Sequence, residues 1–268
     1  MSCETILLGA VAYDARVVTI WEGIREHFHD EDAPLDFVLF SNYERQVELL
    51  LKGHIDIAWN TPLAHVRVQR QTENRSLSLA MRDSDQDFHA RIIIRTDSGI
   101  SDLKGLEART LAVGSCDSTQ ARILPLHFLR RQGVDLQKVK LLKFDTDVGK
   151  HGDTGTSEID VLEALADGRA DAGAIGDLVW INEQAAGHVD TNLIQSLWTT
   201  PPFDHCMFDA LPDLEPGRIE RFKRALFAMK WEIPEHRRLL ELEGLKAWMP
   251  PREEGYDSLR AALADPTP

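Results

Sequence analysis

Short apolar runs alternate with amphipathic stretches along this chain, and the connections between them are brief. No other feature constrains the fold as much. An apolar run buried on both faces reads as a strand of a covered sheet, and a 3.6-period stretch beside it reads as the helix that covers it. TILLGAVA at 5–12 leads into an amphipathic stretch from Arg16 to Phe28, with Asp14 as its expected cap. LDFVLF at 35–40 leads into SNYERQVELLLKG, where Ser41 and Glu44 have capping-box spacing and Gly53 stops the helix. HIDIAW at 54–59 runs into Asn60, Thr61 and Pro62, and Pro62 suits a first helical position after a Thr61 cap. SLSLAMR at 76–82 and HARIIIR at 89–95 are two further strands. The short strand–helix–strand steps predict a largely parallel sheet.

A second unit begins near residue 96. A strand at 109–113 enters GSCDSTQARILPLHFLRRQG, a glycine and small polar residues followed by helix. A strand that leaves its sheet through such residues into a helix aims several backbone N–H groups at one spot. The helix N-terminus adds partial positive charge, which makes an anion site. The plainer alternative is that Ser118 or Thr119 only caps the helix. KVKLLKF at 138–144 is a strand, SEIDVLEALADGRADAGAIG is a helix, turn and strand, and LIQSLW at 193–198 is another strand. TTPPFDHCMF at 199–208 is proline-broken and crosses back, and from Pro216 the pattern is helical. The expected layout is α/β with two lobes, residues 1–90 plus 203–268 and residues 91–202. Crossings near 84–92 and 199–208 would form a hinge, with a ligand cleft between the lobes at the carboxyl ends of the strands.

Composition excludes several classes. With 268 residues the chain can build one large domain or two lobes. A formal net charge of −14 repels phosphate backbones, so nucleic acid is not an expected partner. No apolar run reaches the ~18 residues of a membrane span, so no membrane insertion is expected. Glu4 stands where a secretory leader carries a basic residue, and no Lys or Arg precedes Arg16. The expectation as the chain stands is cytoplasmic, with a periplasmic location if it is a processed form. Cys3, Cys116 and Cys206 are an odd number without paired spacing, which does not describe a disulfide framework. CxxC, HExxH and the GxxxxGK[ST] loop are absent from the sequence, so no metal and no cofactor is expected.

DIAWNTPLAHV, the tyrosine-led helix in FSNYERQVELLLKGHIDIAW, the Ser-Thr turn of DSTQARILP, and KHGDTGTSEIDVLEALADGRADAGAIG together resemble the phosphate/phosphite/phosphonate-binding proteins of ABC transporters. The resemblance runs from about residue 5 to 230. It implies the type II periplasmic-binding-protein fold and a small anionic ligand, with a transporter or a sensor protein as partner. It also implies residue roles. Tyr43 would line the cleft, Ser118 and Thr119 would hold phosphonate oxygens, His151 would contact the anion, and Asp204 would supply an acid near the second crossing, with His205 its rival. The chain departs from the family pattern in Asn60, where a second tyrosine is common, in the longer stretch around His151, and in Cys116 before the Ser-Thr pair.

Residue chemistry adds further candidates for ligand contact. Asn60 and Thr61 end a buried strand. Tyr13 and Arg16 follow the first strand, where a guanidinium can clamp an anion through two hydrogen bonds. His89 lies on the first crossing. His65, one turn into a helix, reads as structural. Two functions are compatible with this set. One is a binding protein that closes on phosphonate, a phosphate ester or a carboxylate. The other is a cytoplasmic enzyme of decarboxylase, lyase or hydrolase type acting on a small carboxylic or aromatic acid. The enzyme would use His89, His151 and His205 as acid or base. It could also use Cys116 as a nucleophile, its thiolate favoured by the helix terminus and paired with His151 or His205.

Overall fold

A computed structural model describes residues 5–150 and 156–264. In chain order the elements are β1 Ile6–Val11, α1 Arg16–Asp30, β2 Leu35–Phe40, α2 Tyr43–Leu51, β3 Ile57–Asn60, α3 Pro62–Gln71, β4 Leu77–Ser78 and β5 Met81–Arg82. Then come β6 Ala90–Arg95, β7 Thr110–Val113, α4 Leu124–Arg131, β8 Lys140–Lys143, α5 Thr156–Ala166, β9 Ala172–Gly176, α6 Asp177–Ala185 and β10 Ile194–Thr199. The chain ends with β11 Met207–Ala210, α7 Pro216–Ala228, α8 Pro234–Glu243, β12 Trp248–Met249 and α9 Asp257–Ala264. It forms two compact units. Unit 1 takes the described residues up to Asp87 together with Asp204–Tyr256, and unit 2 takes Phe88–Phe203 and the described residues from Asp257 on. The C-terminal region is thus divided: α9, expected with the first lobe, packs in unit 2 against α4 through buried Leu259 and Ala262.

In unit 1 the strand order is β2-β1-β3-β11-β4. The two-residue period of the strands sorts side chains to two faces. Ile6, Leu8, Ala10, Ile57, Trp59 and Phe208 face a core with Ile20, Trp21, Ile24 and Phe28 of α1 and Phe222 and Leu226 of α7. Val11 and Ala58 face the opposite core, with Val47 and Leu50 of α2 and Ala64 and Val68 of α3. The buried stripe of α1, Val17, Ile20, Trp21, Ile24 and Phe28, has the spacing of one helix face. The cap position of α1 is Ala15, not the expected Asp14, and it makes no side-chain cap bond; Asp14 sits one residue earlier, its Oδ1 accepting the Arg16 N–H at 2.8 Å. The cap of α2 is Asn42, not Ser41: its Oδ1 accepts the Arg45 N–H at 2.8 Å. Gly53 stops that helix region at φ 68°, a left-handed conformation open to glycine at little cost.

In unit 2 the order is β10-β6-β9-β7-β8. Ile92, Ile94, Leu111 and Val113 pack with Leu126 and Leu129 of α4. Ile93, Ala112 and Ile175 pack with Val161 and Leu165 of α5 and Val179 and Trp180 of α6. Neither sheet is largely parallel. β1 runs parallel to β2 and β3, and β7 parallel to β8 and β9, but β11 is antiparallel to β3 and β4, and β6 to β9 and β10. Helical crossovers impose the parallel pairs. β11 in unit 1 and β6 in unit 2, reached by other routes, run in the opposite sense to the other strands of their sheets.

Candidate functional site

The strand–turn–helix junction after β7 departs from regular helix geometry. Between Ser118 and α4 the chain makes one π-turn, Thr119–Ile123. The Ile123 N–H donates to the Ser118 carbonyl at 2.9 Å, five residues back. The cause is Pro125, which has no N–H to offer the Ala121 carbonyl. That carbonyl accepts instead from Gly114 N–H at 3.1 Å, which ties the end of β7 to the turn. The close approach explains the glycine. A Cβ at Gly114 would lie 2.7 Å from Ala121 Cβ and 3.1 Å from Ser157 Oγ. Gly114→Ala is expected to lower stability by about 1–3 kcal/mol through this overpacking, measured by thermal or denaturant unfolding.

Carboxylates fix the rest of the turn. Asp145 Oδ1 accepts from Cys116 N–H at 2.7 Å and from Arg122 Nη1 at 3.0 Å. Asp147 bonds the Ser115 hydroxyl and accepts the Ser157 N–H at 3.2 Å, linking the turn to the start of α5. Ser118 Oγ accepts from Ala121 N–H at 3.1 Å, so Ser118 is a cap, and its own O–H proton remains to be donated. Thr119 and Ser157 are different. Both are buried, and neither Thr119 Oγ1 nor Ser157 Oγ has a hydrogen-bond partner. A buried hydroxyl without a partner costs free energy unless a ligand completes it. Ser157 was not among the residues singled out from the sequence. Its signal is the small hydroxyl residue in the first turn of a helix, the same signal that singled out Ser118.

Other candidates in unit 2 divide. Cys116 is exposed, and its thiol pKa is raised, first by burial of the sulfur and then by Asp117 and Asp145. That is opposite in direction to the thiolate expected from the helix terminus, since burial first and then the two nearby carboxylates disfavour the charged sulfur. His89 is engaged by the backbone, its Nδ1 2.7 Å from Thr200 O. His151 lies outside the described residues.

In unit 1, Tyr43 opens α2 and is 6% exposed. Asn60 and Thr61 close β3. Both polar atoms of the buried Asn60 side chain are engaged: Nδ2 donates to Asp209 Oδ2 and Oδ1 accepts from Gln46 Nε2, each at 2.8 Å. Thr61 Oγ1, by contrast, is buried and has no partner, and it does not cap α3. Arg16 is exposed, 3.9 Å from Asp14, with its guanidinium 5.9 Å from the Tyr13 ring. Asp204 is buried, held by Arg252 through two oxygens and by the Asp87 N–H at 3.2 Å. His205 is buried with Nδ1 3.2 Å from Cys206 Sγ and 3.5 Å from Asp85 Oδ1. Both of these neighbours meet the same ring nitrogen. Ligand atoms of Asp85, His205 and Cys206 fall within 4.8 Å of one another, but the Arg82 guanidinium holds both Asp85 oxygens at 2.6 and 2.8 Å. That cation already balances the carboxylate.

A buried charged network that sequence inspection did not single out lies behind β3. His65 Nδ1 is 2.8 Å from Asp209 Oδ1, and its Nε2 is 3.7 Å from Glu253 Oε2. Burial opposes charge on His65, yet Asp209 and Glu253 together raise its pKa to about 9.

A family model described as ABC transporter, phosphonate, periplasmic substrate-binding protein matches residues 11–256. The probable ABC transporter phosphite binding protein PhnD1 of Prochlorococcus marinus (strain MIT 9301) is 24% identical over 238 residues, covering 85% of this chain and 77% of that protein. The crystal structure of PhnD1 in complex with methylphosphonate superposes with a TM-score of 0.77 at 21% identity, covering 98% of each chain. XAC2383 from Xanthomonas citri bound to ATP superposes with a TM-score of 0.75 at 17% identity, covering 97% of this chain and 96% of that one. These likenesses, with those to aliphatic sulfonate-binding proteins, show the type II periplasmic-binding-protein fold.

Proposed function

The chain belongs to the periplasmic phosphonate-binding proteins of ABC transporters, and on that premise we propose that it binds a small tetrahedral phosphorus oxyanion, of the phosphonate or phosphite type, for delivery to a transporter. The observation that carries this reading is the pair of buried hydroxyls without partners, Thr119 and Ser157, beside the free O–H proton of the Ser118 cap. Hydroxyl and backbone donors at a helix start suit an anion whose oxygens each accept several hydrogen bonds. Ser118, Thr119 and Ser157 are the ligand-contact residues we assign in unit 2. Tyr43 and Thr61 are those we assign in unit 1.

The family supports binding over the enzyme alternative. The cytoplasmic expectation also lacks support, because the family's members are periplasmic. Among the described residues no helix is long and apolar enough to cross a membrane.

A thermal-shift panel tests the reading. Methylphosphonate, phosphite, phosphate, sulfate, an alkylsulfonate and small carboxylates are compared, and each hit is followed by NMR for chemical change. A phosphorus oxyanion at 100 times its Kd adds about 2.7 kcal/mol of stability and stays intact. Stabilisation by carboxylates alone, or consumption of the hit, contradicts the reading.

A further inference from the structure

The network behind β3 does more than fill space. We propose that His65 is a positioning residue: held between Asp209 and Glu253, it fixes the β3 end and the first turn of α3, and so sets the affinity of Thr61 and Tyr43 for the ligand. This rests on the oxyanion-binding reading.

The geometry is a continuous relay of side chains. His65 Nδ1 meets Asp209 Oδ1 at 2.8 Å, and the other oxygen of Asp209 accepts from Asn60 Nδ2 at 2.8 Å. Asn60 Oδ1 accepts from Gln46 Nε2, which also donates to the Trp59 carbonyl, both at 2.8 Å. His65, Asp209, Asn60 and Gln46 are all 0% exposed, so water substitutes for none of these links. Three elements are joined to the histidine in this way. They are β11 through Asp209, β3 through Asn60, and α2 through Gln46, one helical turn after Tyr43 on the same face. The backbone closes the loop: the His65 N–H donates to the Thr61 carbonyl at 2.9 Å. Thr61 therefore sits between two groups fixed by the network, and its hydroxyl is the buried one without a partner.

The charge on His65 holds two carboxylates in place. Asp209 faces it from β11, Glu253 from the segment after β12, and the Tyr256 ring lies 4.3 Å away, centroid to centroid. Glu253 in turn accepts from Gln69 Nε2 of α3 at 2.5 Å and from the Ser78 hydroxyl of β4. Loss of the imidazolium proton leaves a buried carboxylate and a half-buried one without their shared cation, an arrangement that relaxes by movement of the elements carrying them. The pKa of about 9 places this change within experimental reach.

The test is the Kd for methylphosphonate by calorimetry from pH 6.5 to 10.5, in the wild-type chain, His65→Asn and Glu253→Gln. Asparagine's Nδ2 replaces the Nδ1 donor to Asp209 without a titratable charge. Ligand ionisation is common to all three proteins and cancels in their ratios. Wild-type affinity is expected to fall about tenfold relative to His65→Asn as pH rises through about 9. Glu253→Gln is expected to move that fall to lower pH, since it removes one carboxylate that stabilises the charge, and it decides the matter where His65→Asn does not fold. A constant ratio across the range, with all proteins binding, overturns the positioning role and leaves oxyanion binding standing. No binding by the wild-type chain at any pH overturns both.

Discussion

Thr119→Val is expected to weaken methylphosphonate binding by at least about tenfold while leaving the protein as stable as before, or slightly more so. Valine has the shape of threonine and lacks only the hydroxyl. That hydroxyl is buried and makes no hydrogen bond within the chain, so the fold loses nothing when it goes. A bound oxyanion loses a charge-assisted hydrogen bond, about 1.5–3 kcal/mol, which is one to two decades of affinity. Ser118→Ala should behave differently. Ser118 Oγ accepts the Ala121 N–H, so its removal is expected to cost about 1 kcal/mol of stability as a lost cap in addition to any affinity. Calorimetric titration and thermal melts on the two variants separate these effects. Equal destabilisation in both, or unchanged affinity in Thr119→Val, contradicts the assignment.

Asp209→Ala is expected to destabilise unit 1 by about 3–5 kcal/mol, because it strands the buried His65 charge and leaves Asn60 Nδ2 without an acceptor. The same pair governs the pH profile. His65 has its folded pKa raised from 6.5 to about 9, so the stability it contributes is complete below about pH 6.5 and is lost as pH rises to about 9. Glu253 moves the other way. The His65 imidazolium 3.7 Å away, chief among its causes, lowers its pKa from 4.5 to about 2, so its contribution is present above about pH 4.5 and lost as pH falls toward 2. Stability should therefore be broadest between about pH 4.5 and 6.5 and fall on both sides. Urea unfolding across this range checks the profile. The alkaline fall should be missing from Asp209→Ala, and its survival there would assign it to another group.

Local chemistry was legible in the sequence wherever it was enough by itself. The α1 stripe, the Gly53 stop, Pro62 at the start of α3 and the Ser118 cap follow from spacing and backbone preference within a few residues. Strand direction does not. The apolar pattern of β11 is the same whether it pairs parallel or antiparallel to β3, so both sheets emerged mixed against expectation. Proline in ARILPLHF was visible, but its consequence depends on Gly114, which lies far enough back to donate to the freed Ala121 carbonyl. The Cys116 pKa depends on the fold for the same reason: burial of the sulfur raises it first, and Asp117 and Asp145, the latter 29 residues on, raise it further. His65 and Asp209 are 144 residues apart, and no motif marks their pairing. Of the candidate site, Ser118 caps its turn, while Thr119 and Thr61 hold buried hydroxyls without partners, Thr61 without capping α3. Asn60, Asp204 and His205 are occupied by partners from distant parts of the chain.

Crystals of the full chain grown with methylphosphonate test the central claim most directly. The account predicts a tetrahedral ligand with an oxygen about 2.7 Å from Thr119 Oγ1 and another oxygen within hydrogen-bond reach of Ser157 Oγ. A ligand bound elsewhere, with both hydroxyls still without partners, would contradict it.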